Sequence, residues 1–277
     1  MMKRLRKLPL AGTLLLTASM FLLPLLFVLT GSLMGSAAFQ HTYGQQALPF
    51  PPVIPRLATI EQYIELMLNT PGFLSAYWNT LRIALITCAL QFLIGVPCAY
   101  GLTKTRLHGR RLILYLYALM MMMPFQVTML PMYQTVRKLG LFDSRWSLIL
   151  PEAFAPLTIF LLVQSMKTLP DELLEASRLE TNSRLVLLRS IVIPLCKPSI
   201  LAAMILSFVE TWNMIEKPLL YISSIQNEPL SMLLHEAGQQ ASSTTLAGCV
   251  LYMIPVILLW ANFQEEICQG VSLIQMK

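Results

Sequence analysis

Six stretches of mostly apolar residues dominate this 277-residue sequence, and their length constrains the fold more than any other feature. A helix that crosses the hydrocarbon core of a bilayer needs about 20 mostly apolar residues. Only 12% of the residues are charged, whereas a soluble domain carries about 25%, so polar groups cannot cover the surface. The sequence therefore predicts a single all-α membrane domain over residues 1–277, with transmembrane helices at about 8–34, 79–103, 112–134, 146–166, 198–222 and 244–264.

The N-terminal apolar run is longer than that of a cleaved secretory signal, which favours an uncleaved first transmembrane helix. It follows the basic start MMKRLRK and extends from about residue 8 to residue 34, whereas the apolar part of a signal peptide has roughly 7–15 residues. With a cytoplasmic N-terminus, fourteen of the 20 Lys and Arg residues lie in inside segments and four in outside segments. Because basic loops are retained in the cytoplasm, the sequence predicts a multi-pass membrane protein with both termini cytoplasmic.

Several chemistries have no support in the sequence. No GxxxxGK[ST] phosphate-binding loop occurs, so the chain does not bind ATP by that route. The five cysteines form no CxxC pair and the three histidines are far apart, which is not a metal-ligating pattern. The basic residues are dispersed between apolar runs, which does not suit nucleic-acid binding. The sequence predicts no cofactor, no metal ion and no catalytic site.

One segment, residues 167–197, interrupts the apolar pattern with charges, cap-forming residues and prolines. Pro170 followed by acidic residues indicates a helix start, because proline suits the first turn and acids favour the positive end of the helix dipole. Thr181-Asn182-Ser183 comes next, and these residue types prefer caps and turns to helix interiors. The helical pattern resumes at Arg184 and ends at Pro194. We expect two short amphipathic helices with a bend between them.

The residues of this segment fit two interpretations equally well. An amphipathic helix with arginines can lie on lipid headgroups. A short helix with small residues, here Ala176 and Ser177, can instead dock closely into the cleft of a partner protein. The physical pattern alone leaves both interpretations open.

The segment resembles the EAA loop of ABC importer permeases, the element that docks into the ATPase subunits. The family pattern begins with Glu-Ala-Ala, has a glycine after three further residues and ends in Ile-x-Leu-Pro. In this chain Glu175-Ala176-Ser177 stands at the start and Ile191-Val192-Ile193-Pro194 at the end. Thr181 occupies the position of the usual glycine, so Asn182 is expected to take the strained turn position. We refer to residues 167–197 as the coupling loop.

The resemblance covers nearly the whole chain. More specifically, the chain resembles the MalG-like permeases of carbohydrate-type ABC importers. It implies the type I ABC importer permease fold, with six transmembrane helices and cytoplasmic EAA coupling helices, in a bacterial plasma (inner) membrane. Five of the blocks that carry it are YWNTLRIAL, MMMMPFQVTMLPMYQTVRKLGLFDSRWSLILP, IFLLVQSMKTLPDELLEAS, SFVETWNMIEKPLLYISS and NFQEEICQGVSLIQMK.

The resemblance also implies partners and the residues that meet them. The chain would be one of two permease subunits in a heterodimer, together with two ATP-binding subunits and an extracytoplasmic solute-binding protein. ATP hydrolysis would belong to the ATP-binding subunits, and the chain would form half of the pathway for a sugar or oligosaccharide. The residues expected to couple to the ATPase are Glu175, Ala176, Ser177, Arg178, Thr181 and Asn182.

Polar residues of the fifth predicted span are candidates for the substrate pathway. Ionisable groups within membrane helices are costly and usually functional, and aromatic faces and planar amides suit sugars. Glu210, Trp212 and Asn213 combine these groups. A tryptophan near the end of a span is also a common interfacial anchor, so both interpretations stay open. One interpretation of the same span is that Lys217 neutralises the adjacent Glu216, and the alternative is that Glu210, Trp212 and Asn213 line the pathway.

Two other functions remain compatible with these residues. An ABC permease for a non-sugar solute would have a similar coupling loop. A proton-coupled secondary transporter, a protein of a different class, would use intramembrane acids as proton relays, but the sequence contains no paired internal repeat.

Overall fold

The computed structural model describes residues 7–43, 58–70, 72–105, 107–181, 183–239 and 242–275, with side chains for all of these except 7–12, 178–180 and 269–275. All regular structure within these ranges is helical. The chain divides into two compact units. The first comprises Met1–Leu74 with Leu233–Pro255, and the second comprises Ser75–Met232 with Val256–Lys277.

The order of the helices along the chain is α1 (Lys7–Ser32), α2 (Ser36–Tyr43), α3 (Glu61–Ile64), α4 (Phe73–Lys104), α5 (Arg110–Met122), α6 (Phe125–Lys138), α7 (Trp146–Glu152), α8 (Pro156–Lys167), α9 (Asp171–Glu180), α10 (Arg184–Leu187), α11 (Ile193–Leu195), α12 (Lys197–Trp212), α13 (Glu216–Tyr221), α14 (Leu230–Ala237) and α15 (Ser243–Gln275). A π-helical turn follows α3 at Glu65–Asn69, and another joins α10 to α11 at Leu188–Val192.

Four helical stretches are long and apolar enough to cross a membrane. They are Thr13–Ser32, Phe73–Lys104, Trp146–Lys167 and Ser243–Cys268. Two further candidates are bent pairs: α5 meets α6 at 103°, and Arg184–Leu195 meets α12 at 82°. If each bent pair is one span, the described part of the chain has six, which is the number that the sequence predicts. The second pair, however, includes Arg184–Leu195, which the sequence assigns to the coupling loop and not to a span.

The third predicted span is divided into two helices in the structure. α5 ends at Met122, and α6 begins at Phe125. Between them the backbone is extended, with ψ of 120° at Met123 and 147° at Pro124. Helical backbone is disfavoured for a residue that precedes proline, so Pro124 accounts for the break.

The fifth predicted span is also divided. α12 ends at Trp212, and α13 begins only at Glu216. In a continuous helix Pro218 would lack its hydrogen bond, and its ring would clash with the carbonyl four residues earlier. Glu216 and Lys217 therefore lie beyond the helix that carries Glu210, and the expectation that all three share one helix is wrong.

In the first unit, α1 is apolar and largely unburied. Only 6% of its spanning window is buried within the chain, so lipid or another subunit must cover the rest. Its close contact is with α15, where a Cβ built on Gly31 would lie 2.5 Å from Leu246 Cδ1. A larger residue at Gly31 would require the Leu246 side chain to shift.

The second unit has one buried apolar cluster near each end of α4. The cluster near the start of α4 includes Ile83 and residues of α6, α7 and α13, among them Val136, Leu148 and Tyr221. The cluster near the end of α4 joins it to α8, α12 and the coupling loop, through residues such as Ala99, Leu162, Leu174 and Ile200. The candidate functional residues lie beside these two clusters.

Candidate functional site

The coupling loop has the two short helices and the bend that its sequence predicts. α9 begins at Asp171, directly after Pro170, whose backbone is extended with ψ of 136°. α10 begins after Ser183, and the Val186 N–H donates to Ser183 Oγ at 3.5 Å. A hydroxyl at this position satisfies one of the backbone donors left free at a helix start.

Apolar side chains anchor both halves of the coupling loop in the second unit. Fully burying one such side chain contributes roughly 1.5–3 kcal/mol. Several anchors together therefore prevent the loop from moving independently of α4 and α8. The anchors are Leu174 (2% exposed), Leu187 (2%), Leu188 (7%) and Val192 (0%).

The opposite side of α9 is open to a partner. Glu175 and Ala176 are exposed, and Ser177 is half-buried, with its hydroxyl donating to the Leu173 carbonyl at 2.6 Å. Arg178 is part of the helix, but its side chain lies outside the described residues. α9 thus holds a buried Leu174 next to an exposed acidic Glu175 and two small residues.

The turn between the two helices does not need a glycine at its first position. Thr181 has φ of −143° and ψ of 133°, which is ordinary extended backbone. Glycine is favoured where φ is positive, so the backbone at this position does not require it. Asn182, expected to take the strained position, lies outside the described residues.

Lys104, the last residue of α4, contacts the start of α9. Its Nζ lies 2.7 Å from Asp171 Oδ1 and donates to the Leu169 carbonyl at 2.6 Å. The Lys104 side chain is only 6% exposed, whereas that of Asp171 is 78% exposed. The sequence does not indicate this contact, because the two residues are 67 positions apart.

At the other cluster of the second unit, an ion pair joins α7 to α13. Lys217 Nζ contacts Glu152 Oε1, and the two side chains are 30% and 13% exposed. The expectation that Lys217 neutralises its neighbour Glu216 is therefore wrong. Lys217 instead compensates an acid that lies 65 residues earlier in the chain.

Buried hydrogen bonds support the backbone beside this ion pair. Gln91 of α4 is 2% exposed, and its Nε2 donates to the Glu152 carbonyl at 2.7 Å. Its Oε1 accepts a hydrogen bond from Thr158 Oγ1 at 2.9 Å. Because a buried amide is stabilising only when its polar atoms are paired, Gln91 fixes the turn between α7 and α8 against α4.

The three candidate pathway residues have different environments. Trp212 is 0% exposed, and its ring stacks on Phe208 at 5.4 Å and meets Tyr77 edge-on at 5.8 Å. Glu210 and Asn213 are exposed. Glu210 also interacts electrostatically with Glu152 and Lys217. Trp212 is therefore part of the interior packing of the second unit, whereas Glu210 and Asn213 lie at the surface of that unit.

A loop aspartate that the sequence analysis did not single out connects two segments of the second unit. The Asp143 carboxylate accepts hydrogen bonds from Ser223 N–H, Ser224 N–H and Ser224 Oγ, all at 2.9 Å. Its own N–H donates to the Tyr221 carbonyl at 2.8 Å. Asp143 has φ of 58°, a left-handed conformation that aspartate and asparagine tolerate better than most residues. The turn-forming neighbours Gly140 and Ser144 are the signal that points to it.

These hydrogen bonds make stability depend on pH. Donation from the backbone N–H groups of Ser223 and Ser224 holds the pKa of the Asp143 carboxyl below its ordinary value. A lowered folded-state pKa contributes stability above the unfolded pKa of about 3.9, and that stability is lost as pH falls through the folded pKa. Asp143→Asn should therefore unfold at a lower temperature than the wild type at pH 7, with a difference that shrinks below about pH 4.

Thermal unfolding in detergent at several pH values measures this difference. Asp143→Ala is the companion variant, since it removes the acceptor and introduces alanine, which tolerates the left-handed backbone less well than aspartate or asparagine. It should unfold at a still lower temperature than Asp143→Asn. A gap between wild type and Asp143→Asn that grows as the pH is lowered from 7 would contradict the assignment.

The described residues contain no group of three or more His, Cys, Asp or Glu side chains arranged to hold a metal ion.

A family model described as the binding-protein-dependent transport system inner membrane component matches residues 91–267. Among similar proteins, LplC from Bacillus subtilis is 27% identical over 92% of this chain and 89% of that protein. An arabinooligosaccharides transport system permease protein, AraQ from Halalkalibacterium halodurans, is 28% identical over 79% of each chain. A sulfoquinovosyl glycerol transport system permease protein, SmoH from Agrobacterium fabrum, is 30% identical over 79% of this chain and 78% of that protein.

Two solved structures with a similar fold belong to ABC transporters. One, from a bacterial ABC transporter involved in the import of the acidic polysaccharide alginate, superposes with a TM-score of 0.81 at 23% identity, covering 95% of this chain and 96% of that chain. The MetNI methionine ABC transporter in inward-facing conformations gives a TM-score of 0.54 at 18% identity, covering 76% of this chain and 98% of that chain. The described helices therefore have the type I ABC importer permease fold.

Proposed function

Because the chain belongs to the family of binding-protein-dependent transport system inner membrane components, we propose that it forms half of the translocation pathway for a sugar or oligosaccharide in an ATP-driven importer. The names of its relatives support this substrate class, since they refer to arabinooligosaccharides and to sulfoquinovosyl glycerol. ATP hydrolysis is assigned to partner subunits. The chain contributes part of the pathway through the membrane, and its coupling loop contacts the ATP-binding subunits.

One observation carries the coupling role. In α9 the buried Leu174 is followed directly by the exposed Glu175. The buried leucine ties the helix to the membrane helices, while the exposed acid is available to a partner. A loop that only rested on lipid headgroups would not need an exposed acid next to small residues, because anionic headgroups attract cations.

The partner contact follows from the exposed side of α9. Glu175 is proposed to pair with a basic residue of an ATP-binding subunit, and Ala176 and Ser177 allow close approach of the two backbones. Arg178, Thr181 and Asn182 are proposed to lie at the same contact. Charge-assisted hydrogen bonds of this kind are roughly twice as strong as neutral ones.

The coupling loop also has the rigidity that a lever requires. Its second half passes through the π-helical turn Leu188–Val192 and α11 into α12. Closure of the ATP-binding subunits would bring the coupling loops of the two permeases together. Because the loop is anchored to α8, α4 and α12, this displacement would move the membrane helices between inward-facing and outward-facing arrangements.

The pathway is proposed to run along the polar side of α12. Glu210 and Asn213 are three residues apart and exposed, so they share one face of the chain near the end of α12. A carboxylate facing lipid would be costly, which favours water or a partner permease on this face. Trp212 is proposed to act beneath them, by holding the end of α12 through its aromatic packing.

The complete importer is proposed to contain a second, different permease, two ATP-binding subunits and an extracytoplasmic solute-binding protein. The chain is proposed to lie in a bacterial inner membrane with both termini in the cytoplasm. This orientation places the coupling loop on the cytoplasmic side, where ATP is available, and follows the distribution of Lys and Arg.

The test is reconstitution of the chain with the permease, ATP-binding and solute-binding proteins encoded next to it. Ligand binding to the solute-binding protein identifies the substrate, and vesicles then measure its uptake with ATP or with a proton gradient. We expect ATP-dependent uptake of a saccharide. Uptake of a non-sugar solute would contradict the substrate class, and uptake driven by a proton gradient without ATP would contradict the whole proposal.

A further inference from the structure

We propose that Lys104 is a positioning residue for energy coupling. Its ammonium group ties the start of α9 to the end of α4, so that the two move together. The inference rests on the proposed function of the coupling loop. It adds a second attachment point for α9, on a different helix from the one that precedes it in the chain.

The geometry places Lys104 across the turn that begins α9. Its Nζ contacts the Leu169 carbonyl at 2.6 Å and the Asp171 carboxylate at 2.7 Å. These two partners lie on either side of Pro170, which is the last residue before the helix. Holding both sides of a proline turn fixes the direction in which the helix leaves it. Asp171 is also the first residue of α9, so the contact acts on the helix itself.

Burial of the lysine distinguishes this contact from an ordinary surface ion pair, although the Asp171 side chain is 78% exposed. Exposed pairs contribute little, because water and salt screen them and two flexible side chains must be ordered. Here the Lys104 side chain is 6% exposed, so the lysine is ordered by the protein around it. Its two acceptors are a carboxylate and a carbonyl, which makes both hydrogen bonds charge-assisted.

A second anchor lies one turn further along α9. Leu174 belongs to the same buried cluster as Ala99 and Leu102, which are on the last turns of α4. α9 is therefore tied to the end of α4 at two points, the ion pair at Asp171 and the buried side chain at Leu174. Two points on a rigid helix fix its direction as well as its position, so a push on α9 moves α4.

The attachment also lies beside the proposed partner contact. A cleft of ≈ 210 Å³ next to α9 is lined by residues that include Lys104, Asp171, Leu174 and Glu175. A load applied at Glu175 thus acts within about one helical turn of both anchors, since residues three and four apart are neighbours on a helix. Without Lys104, α9 would pivot on Leu174 and lose part of its displacement.

The test compares ATP hydrolysed per sugar transported in reconstituted vesicles. In Lys104→Met the ratio of ATP hydrolysed to sugar transported should rise about tenfold. Losing one strong charge-assisted hydrogen bond changes an equilibrium constant by about this factor. Asp171→Asn keeps an acceptor without the charge and should raise the ratio less. Lys104→Arg keeps the charge and should restore most of the coupling. In a double-mutant cycle the effects of Lys104→Met and Asp171→Asn should be less than additive, because they remove the same contact.

The control is Arg111→Met, which removes one cation from an exposed position at the start of α5. It should leave the ratio unchanged. If wild-type vesicles show no ATP-driven uptake, the proposed function itself fails. If they do and Lys104→Met keeps the wild-type ratio, the inference about Lys104 is overturned. If the Lys104→Met complex does not assemble, the Lys104→Arg and Asp171→Asn complexes provide the test. A wild-type ratio of ATP hydrolysed to sugar transported in the Asp171→Asn complex would also overturn the inference.

Discussion

Glu175→Lys should abolish ATP-driven uptake while leaving the importer assembled. Glu175 is exposed on α9 and is proposed to meet a basic residue of an ATP-binding subunit. Reversing its charge places two cations together, and such a juxtaposition costs several kcal/mol. We therefore expect uptake to fall by about a hundredfold or more, the change that corresponds to roughly 2.8 kcal/mol. The measurement is uptake of labelled sugar into vesicles that contain ATP.

Assembly should survive this substitution because the anchors of the coupling loop are untouched. Leu174, the neighbouring residue, keeps its buried position, and the amount of ATP-binding subunit that co-purifies reports on assembly. Glu175→Gln should give an intermediate loss, since it removes the charge without reversing it. Glu65→Lys is the matched control, because Glu65 is an exposed acid on a short helical segment outside the coupling loop. Near-normal uptake by Glu175→Lys would refute the proposed partner contact.

Local chemistry made the coupling loop predictable. Pro170 and Asp171 mark the start of α9, and Ser183 caps α10, because proline, acids and hydroxyl residues satisfy specific needs at helix ends. The number of spans was also predictable, because the length of an apolar run is matched to the thickness of the bilayer. Each of these inferences depends on residues that are close together in the sequence.

The bends within spans were harder to anticipate. Several predicted spans contain proline, and a membrane helix often accommodates it. Pro124 nevertheless separates α5 from α6, while Pro97 lies inside α4 without interrupting it. The difference depends on whether neighbouring groups can satisfy the backbone around each proline, and the sequence does not contain that information.

Partner choice across the fold could not be predicted at all. Lys217 was expected to pair with the adjacent Glu216, yet it contacts Glu152. Trp212 was a candidate for contact with substrate, yet it is 0% exposed between Phe208 and Tyr77. In both cases the decisive neighbour comes from another part of the chain. A linear pattern states how polar a residue is, but it does not state which helix lies opposite it.

Removing one partner of the Glu152–Lys217 ion pair should destabilise the second unit strongly. Lys217→Met would leave the Glu152 carboxylate, 13% exposed, without its cation and still in electrostatic range of Glu210. Removing one partner of a buried ion pair typically costs 3–5 kcal/mol, so we expect a loss of about 3 kcal/mol here, because Lys217 is partly exposed. Thermal unfolding of the purified complex in detergent measures the loss.

The double variant Glu152→Gln, Lys217→Met separates the ion pair from simple packing. It removes both charges, so no buried carboxylate is left unpaired, and it should recover most of the stability that Lys217→Met loses. Lys138→Met, which removes an exposed lysine at the end of α6, should have little effect. If the double variant were no more stable than Lys217→Met, the unpaired carboxylate would not be the cause of the loss. The role of Lys217 would then be to pack its side chain, from α13, against α7.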